Sequence, residues 1–168
     1  MGSNLGDRER TLRSAWERVA ALCTRARLSR IFETAPLYVA DQPAYLNAVG
    51  EAVTTLEPVP LLSRLQAIEA EFGRDRSREV RRGARTLDLD ILLCDSLVLD
   101  TPELCVPHPL LSERLFVLVP LLELDPDLRD PRTGERMADW RARLEAAGGG
   151  GVYLHPGGSY TDPSIPEA

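Results

Sequence analysis

The chain has 168 residues, 43% of them hydrophobic, a net charge of -6 and 20 basic side chains that are all arginine. That length and apolar content suit one domain with a real core, and the longest stretch free of polar residues, Leu115 to Leu122, is too short to span a bilayer. The absence of lysine excludes a lysine-bearing phosphate loop and any Schiff-base mechanism, so phosphate would have to be bound by arginine and metal.

In chain order, Gly6-Asp7 precedes an amphipathic helix, in which Leu12, Trp16, Val19 and Cys23 recur at spacings of three and four. Leu28 to Thr34 reads as extended and stops at Ala35-Pro36, and Tyr45 to Leu56 is a second extended run rich in valine and threonine. Pro58 and Pro60 open a second helix with Leu61, Leu65, Ile68 and Phe72 on one side, closed by Gly73. Between Gly73 and Thr86 follow Arg74, Arg76, Arg78, Arg81, Arg82 and Arg85 against only Asp75 and Glu79, a local charge of +4.

Thr86 to Leu93 then alternates. Leu87, Leu89, Ile91 and Leu93 predict one buried strand face, which leaves Asp88 and Asp90 together on the other. Same-face neighbours on a strand lie about 6 to 7 Å apart, close enough for two carboxylates to share hard cations. Arg85 precedes them directly, and guanidinium forks beside a cation site suit a polyphosphate. A basic loop or a solvated acidic face is the plainer reading of either feature alone; their juxtaposition favours an anion site next to a cation site.

Beyond this strand, Pro107-His108-Pro109 leads into an apolar segment, Leu110 to Leu124, interrupted by Pro120, and Arg136 to Ala147 predicts a last helix carrying Met137, Trp140 and Leu144. From Gly148 the chain is rich in Gly, Pro and Ser, so 1–147 reads as the domain and 148–168 as a disordered tail to which the sequence assigns no role. His155 lies in that tail, leaving His108 as the candidate site histidine. Cys23, Cys94 and Cys105 have neither zinc-like spacing nor an even count and read as reduced thiols in a cytoplasmic protein with no leader peptide.

Four segments resemble, in the same order, motifs of the 6-hydroxymethyl-7,8-dihydropterin pyrophosphokinases: Gly2-Ser3-Asn4-Leu5-Gly6-Asp7, Asp41-Gln42-Pro43-Ala44-Tyr45-Leu46-Asn47, Arg85-Thr86-Leu87-Asp88-Leu89-Asp90-Ile91-Leu92, and Val106-Pro107-His108-Pro109. The resemblance runs from Gly2 to Trp140. It implies transfer of the pyrophosphoryl group of ATP to the hydroxymethyl group of a dihydropterin, with release of AMP, in folate biosynthesis. By the same resemblance Asp88 and Asp90 hold two magnesium ions (Mg2+) and, with Arg76 and Arg85, form the catalytic set. Gln66, Glu69, Arg74, Arg76, Arg85, His108 and Arg114 match ATP-binding positions, and Thr34, Leu37, Tyr45, Asn47 and Phe116 match pterin-pocket positions. Arg82, Ala84, Glu103 and Cys105 depart from residues that some members carry there.

The helix, strand, strand, helix, strand order predicts an α+β fold, a ferredoxin-like antiparallel sheet with packed helices. Its first strand is expected to be missing, because Met1 abuts Gly2 where the family runs an apolar strand into the motif; a start further upstream is the corresponding expectation. ATP and a dihydropterin are the expected partners of a monomer that binds neither nucleic acid nor membrane. Another magnesium-dependent nucleotidyl or phosphoryl transferase, or a non-catalytic small-molecule-binding domain, remain the competing readings.

Overall fold

The computed structural model describes residues 1–35, 42–74, 83–149 and 151–157. The chain folds as β1 (Gly2–Ser3), α1 (Arg8–Ala20), β2 (Arg25–Leu28), β3 (Phe32–Thr34), β4 (Tyr45–Asn47), β5 (Gly50–Val53), α2 (Pro58–Glu71), β6 (Leu99–Asp100), β7 (Cys105–Val106), a 3-10 turn at Leu111–Glu113, α3 (Leu115–Leu124), α4 (Met137–Ala146) and β8 (Val152–Leu154). Mixed helices and antiparallel strands make it α+β. Among the described residues no helix is long and apolar enough to cross a membrane.

The helices start and stop where local chemistry directs. Asp7 caps α1 by accepting the Arg10 N–H at 3.2 Å, Pro58 opens α2, and Gly73 follows α2 at φ 83°, a left-handed conformation that glycine adopts without strain.

β2 and β3 run antiparallel to β5 and β4 as one kinked hairpin. Leu28 pairs with Gly50 and Phe32 with Asn47, so three residues, 29–31, oppose two, 48 and 49. This is a β-bulge, sealed where the Ser29 hydroxyl accepts the Val49 N–H at 3.0 Å. The extra residue shifts the alternation, so Ile31 and Leu28, three apart, both enter the same core. The single extended run from Tyr45 to Leu56 is therefore split in two.

One sheet has the order β1-β4-β3-β8. On one face a core of Leu12, Trp16, Ile31, Leu46, Leu65, Ile68, Leu87, Leu89 and Ile91 joins α1 and α2 to the sheet. A second cluster, with Val49, Leu111, Val117, Leu118, Met137 and Trp140, packs α3 and α4 on the other. Gly50 lies beneath the Trp16 ring, where a Cβ would stand 2.1 Å from Cζ3.

Three expectations need correction. The first strand is not missing: Gly2–Ser3 form β1, which pairs with β4, while Gly2 and Asp88 exchange backbone hydrogen bonds of 2.9 and 2.8 Å on its other side. Two residues thus satisfy groups that both neighbours would otherwise leave unpaired. Thr86 to Leu93 keeps its alternation, with Leu87, Leu89 and Ile91 buried, but Asp88 makes an isolated bridge to Gly2 rather than belonging to a named strand, because β1 is too short to support a longer ladder. The tail is not wholly without structure either. Val152–Leu154 pair with β3, whose outer backbone groups offer a ladder that the composition of the tail does not reveal.

Candidate active site

Alternation along the strands decides what enters the site. Leu46 points into the α1 and α2 core, so its neighbours Tyr45 and Asn47 face α3, as does Thr34, which pairs with Tyr45. The same parity turns Asp88 and Asp90 to that side while Leu87, Leu89 and Ile91 fill the core. These side chains open onto one cavity of about 190 Å³, closed by Phe116 and Val117 of α3 and by Val49, Leu92 and Leu110. Arg85 and Arg114 complete its charged rim.

At the apolar end, the Asn47 side-chain amide donates to Thr34 Oγ1 at 2.8 Å, and both residues are buried. The Tyr45 hydroxyl lies within donating distance of Gln42 Oε1 (3.3 Å) and the Gly83 carbonyl (3.2 Å). Burial raises the Tyr45 pKa, with Arg85 opposing, so the ring carries a neutral hydroxyl. Phe116 lies under the Arg114 guanidinium, 5.8 Å from ring centroid to Cζ.

At the charged end, Asp88 is held by two arginines: Arg74 Nη1 donates to Oδ1 at 2.5 Å and Arg85 Nη1 to Oδ2 at 2.9 Å. Burial pushes the Asp88 carboxyl up, but Arg85 and Arg74 outweigh it and leave it below the usual carboxylate range. Asp90 is more open, with Arg114 Nη1 at 3.5 Å and His108 Nε2 at 3.9 Å from Oδ2. His108 Nδ1 accepts the Leu110 N–H at 3.1 Å, which leaves Nε2 to carry the proton of the neutral ring. Burial lowers the His108 pKa, and Asp90 only partly offsets this, so the neutral ring is favoured.

Of the expected nucleotide residues among those described, Arg85 and Arg114 line the cavity, whereas Gln66, Arg74, His108 and Glu69 do not, and the most deeply buried of these is Glu69. It is 1% exposed, and its Oε1 accepts the Leu89 N–H at 2.7 Å and pairs with Arg74. Its carboxylate therefore faces the interior and fixes the Asp88 segment through Leu89 and Arg74, and it does not line the cavity. Gln66 is half-buried on α2 and also lies off the cavity wall. Arg76 and Leu37, with Arg82 of the basic loop, fall outside the described residues.

Asn4 was legible only as part of a motif. Its Oδ1 accepts the Arg85 N–H at 2.7 Å, its backbone N–H donates to the Arg85 carbonyl at 3.1 Å, and Nδ2 donates to Gln42 Oε1 at 3.2 Å. One 1%-exposed amide thus ties the Arg85 segment to the Gln42 and Tyr45 side of the cavity. A two-sided side chain directly after Gly2-Ser3 was the available signal.

The cavity thus sets a charged end, with Asp88, Asp90, Arg85 and Arg114, beside an end lined by Tyr45, Asn47 and Phe116. Residues 1–126 match the family model described as 7,8-dihydro-6-hydroxymethylpterin-pyrophosphokinase (HPPK). A Bacillus subtilis protein named 2-amino-4-hydroxy-6-hydroxymethyldihydropteridine pyrophosphokinase is 48% identical over 126 residues, 74% of each chain. A Pseudomonas aeruginosa protein of the same name is 44% identical over 137 residues, covering 78% of this chain and 81% of its own. The Pneumocystis carinii folic acid synthesis protein fol1 is 39% identical over 145 residues, 86% of this chain but only 19% of that longer protein. The chain belongs to the 7,8-dihydro-6-hydroxymethylpterin-pyrophosphokinase family.

Proposed function

We propose that the cavity brings ATP and 6-hydroxymethyl-7,8-dihydropterin together and that the chain transfers the pyrophosphoryl group between them for folate biosynthesis. The observation that carries this reading is that Asp88 and Asp90 open onto the same cavity as the Thr34–Asn47 pair. A flat heterocycle with an amide-like edge needs apolar walls and a few fixed polar groups, which Phe116, Val49, Tyr45 and Asn47 supply.

The donor set fits magnesium. Among the described residues no group of three or more His, Cys, Asp or Glu could hold a metal ion, and two carboxylates are what magnesium uses when substrate phosphates and water complete its shell. Arg74 and Arg85 take one hydrogen-bonding position on each oxygen of Asp88, so acceptor capacity remains. Asp88 and Asp90 would hold the metal, which when bound offsets phosphate charge and acidifies the attacking hydroxyl.

In the proposed reaction the hydroxymethyl oxygen attacks the β-phosphorus of ATP. The bond from that phosphorus to the bridging oxygen of AMP breaks, AMP leaves with that electron pair, and the hydroxyl proton passes to solvent. Arg85 and Arg114 flank the charged end and would match phosphate oxygens with their forked donors. Arg74 and Glu69 act through Asp88 rather than on the nucleotide. His108, Gln66 and, beyond the described residues, Arg76 remain candidates for nucleotide contact, as does Leu37 for the pterin.

The order β1, α1, the kinked β2/β3–β4/β5 hairpin, α2 and then the Asp88 segment returning beside Gly2 supports a ferredoxin-like assignment for this α+β fold, with 1–147 as the catalytic domain of a cytoplasmic monomer. The deciding assay is AMP formation from ATP and magnesium with and without the hydroxymethyldihydropterin. Pterin-dependent AMP is expected; AMP formed equally without it would point to a different phosphoryl transferase, and none in either case would overturn the activity.

A further inference from the structure

The segment after α4 lies beyond the part of the chain that matches the family model, which ends at residue 126. β8 nevertheless pairs along the whole of β3, through Phe32 with Leu154, Glu33 with Tyr153 and Thr34 with Val152. The segment then continues: the His155 N–H donates to the Ile31 carbonyl at 2.9 Å, His155 Nε2 lies 3.3 Å from Glu9 Oε2, and Arg13 Nη2 donates to the Gly157 carbonyl at 2.6 Å. Without β8, β3 would be an edge strand whose outward N–H and C=O groups face water.

The last residue of β3 is Thr34, whose hydroxyl accepts from Asn47 in the pterin end of the main cavity. A second, smaller cavity of about 60 Å³ lies directly behind that wall, lined by Leu115, Leu144 and Val152 and sharing Thr34, Ala35 and Phe116 with the first. The strand that carries Thr34 is thus held from one side by β4 and from the other by β8.

We infer that β8 is a positioning element for pterin recognition: by completing the ladder on β3 it fixes Thr34, and through Thr34 the Asn47 amide. The inference rests on the proposed pterin site. β8 is attached chiefly through its backbone, since Tyr153 is 70% and Leu154 48% exposed, and a segment with so little apolar burial opens at low cost. Its attachment therefore tunes the pocket without being needed for the two cores on either side of the sheet.

Two sets of variants test this. Tyr153→Pro removes a backbone donor and interrupts the ladder. The pair Arg13→Ala with His155→Ala releases the end of the segment while leaving the β8 backbone intact. In both, the KM for the hydroxymethyldihydropterin and its Kd by calorimetry without nucleotide should rise, in Tyr153→Pro by about tenfold, the effect of roughly one neutral hydrogen bond. The KM for ATP and the thermal midpoint should hold.

Unchanged pterin affinity in both variants, with hydrogen exchange showing β3 newly exposed, overturns the inference. So does an equal rise in both KM values accompanied by a lower midpoint, which would mark β8 as merely structural. If the intact chain binds the pterin without forming AMP and the variants weaken that binding, the positioning role stands while the activity falls. If the intact chain does not bind the pterin at all, both readings fall.

Discussion

Replacing Glu69 by alanine should test whether the site is built from the core outward. The carboxylate is 1% exposed and Arg74 only 6%, and Glu69 Oε1 serves the Leu89 N–H and the Arg74 guanidinium. Alanine leaves one neutral and one charged donor without that acceptor in the interior. Removing one partner of a buried ion pair costs about 3–5 kcal/mol, and Arg74 keeps Asp88 as a second partner, which places the loss near 4 kcal/mol. For a domain whose whole stability is about 5–15 kcal/mol, that is a large share. At about 2–4 °C per kcal/mol, the thermal midpoint should fall by roughly 8–16 °C.

Glu69→Gln keeps an acceptor for Leu89 but gives up the charge opposite Arg74, so a smaller loss, about 1–2 kcal/mol, is expected. Urea unfolding followed by circular dichroism measures both variants, and turnover at a temperature where each is folded should also drop, because Leu89 separates Asp88 from Asp90. A Glu69→Ala protein within about 1 kcal/mol of the parent would refute the reasoning, since no buried pair could then be holding this segment.

Other perturbations separate chemistry from stability. Asp90→Asn should lower turnover by about a hundredfold or more with little change in thermal midpoint, since the side chain is 39% exposed; near-normal turnover in the folded variant would remove Asp90 from the catalytic set. Gly50→Ala places a Cβ 2.1 Å from Trp16 Cζ3, and expelling that ring from the core should cost about 3 kcal/mol; an unchanged midpoint would show that Trp16 does not cover Gly50. Asp130 is 2% exposed and accepts from Arg132 Nε and Nη2, and although burial raises its pKa, those bonds bring it below the usual value. Its folded pKa is depressed, so its stabilisation is complete above the unfolded value of about 3.9 and is lost as pH falls through the folded value. Asp130→Asn should therefore be less stable than the parent at about pH 7, and the gap should narrow below about pH 4; a gap independent of pH would contradict the linkage.

Short-range pattern alone determined a good deal about this protein. The three-and-four spacing of Leu12, Trp16 and Val19, and of Leu61, Leu65 and Ile68, placed α1 and α2, because a helix buries whichever face its own sequence makes apolar. Period-two alternation put Asp88 with Asp90 and Tyr45 with Asn47, since a strand turns neighbouring residues to opposite faces wherever it packs. Tertiary structure alone decided what these local pieces meet. The bulge at 29–31 depends on how β2 and β3 register against β4 and β5, and nothing within either strand states that register. Glu69 matched an ATP-binding position in the sequence; it is buried because Leu89 and Arg74, remote in sequence or beyond the helix end, supply donors there. Asn4 and Arg85 meet across 81 residues, and β8 finds β3 from the far end of the chain. Such contacts are fixed by which unpaired backbone and side-chain groups the folded sheet presents, and those groups exist as a surface only once the sheet has formed.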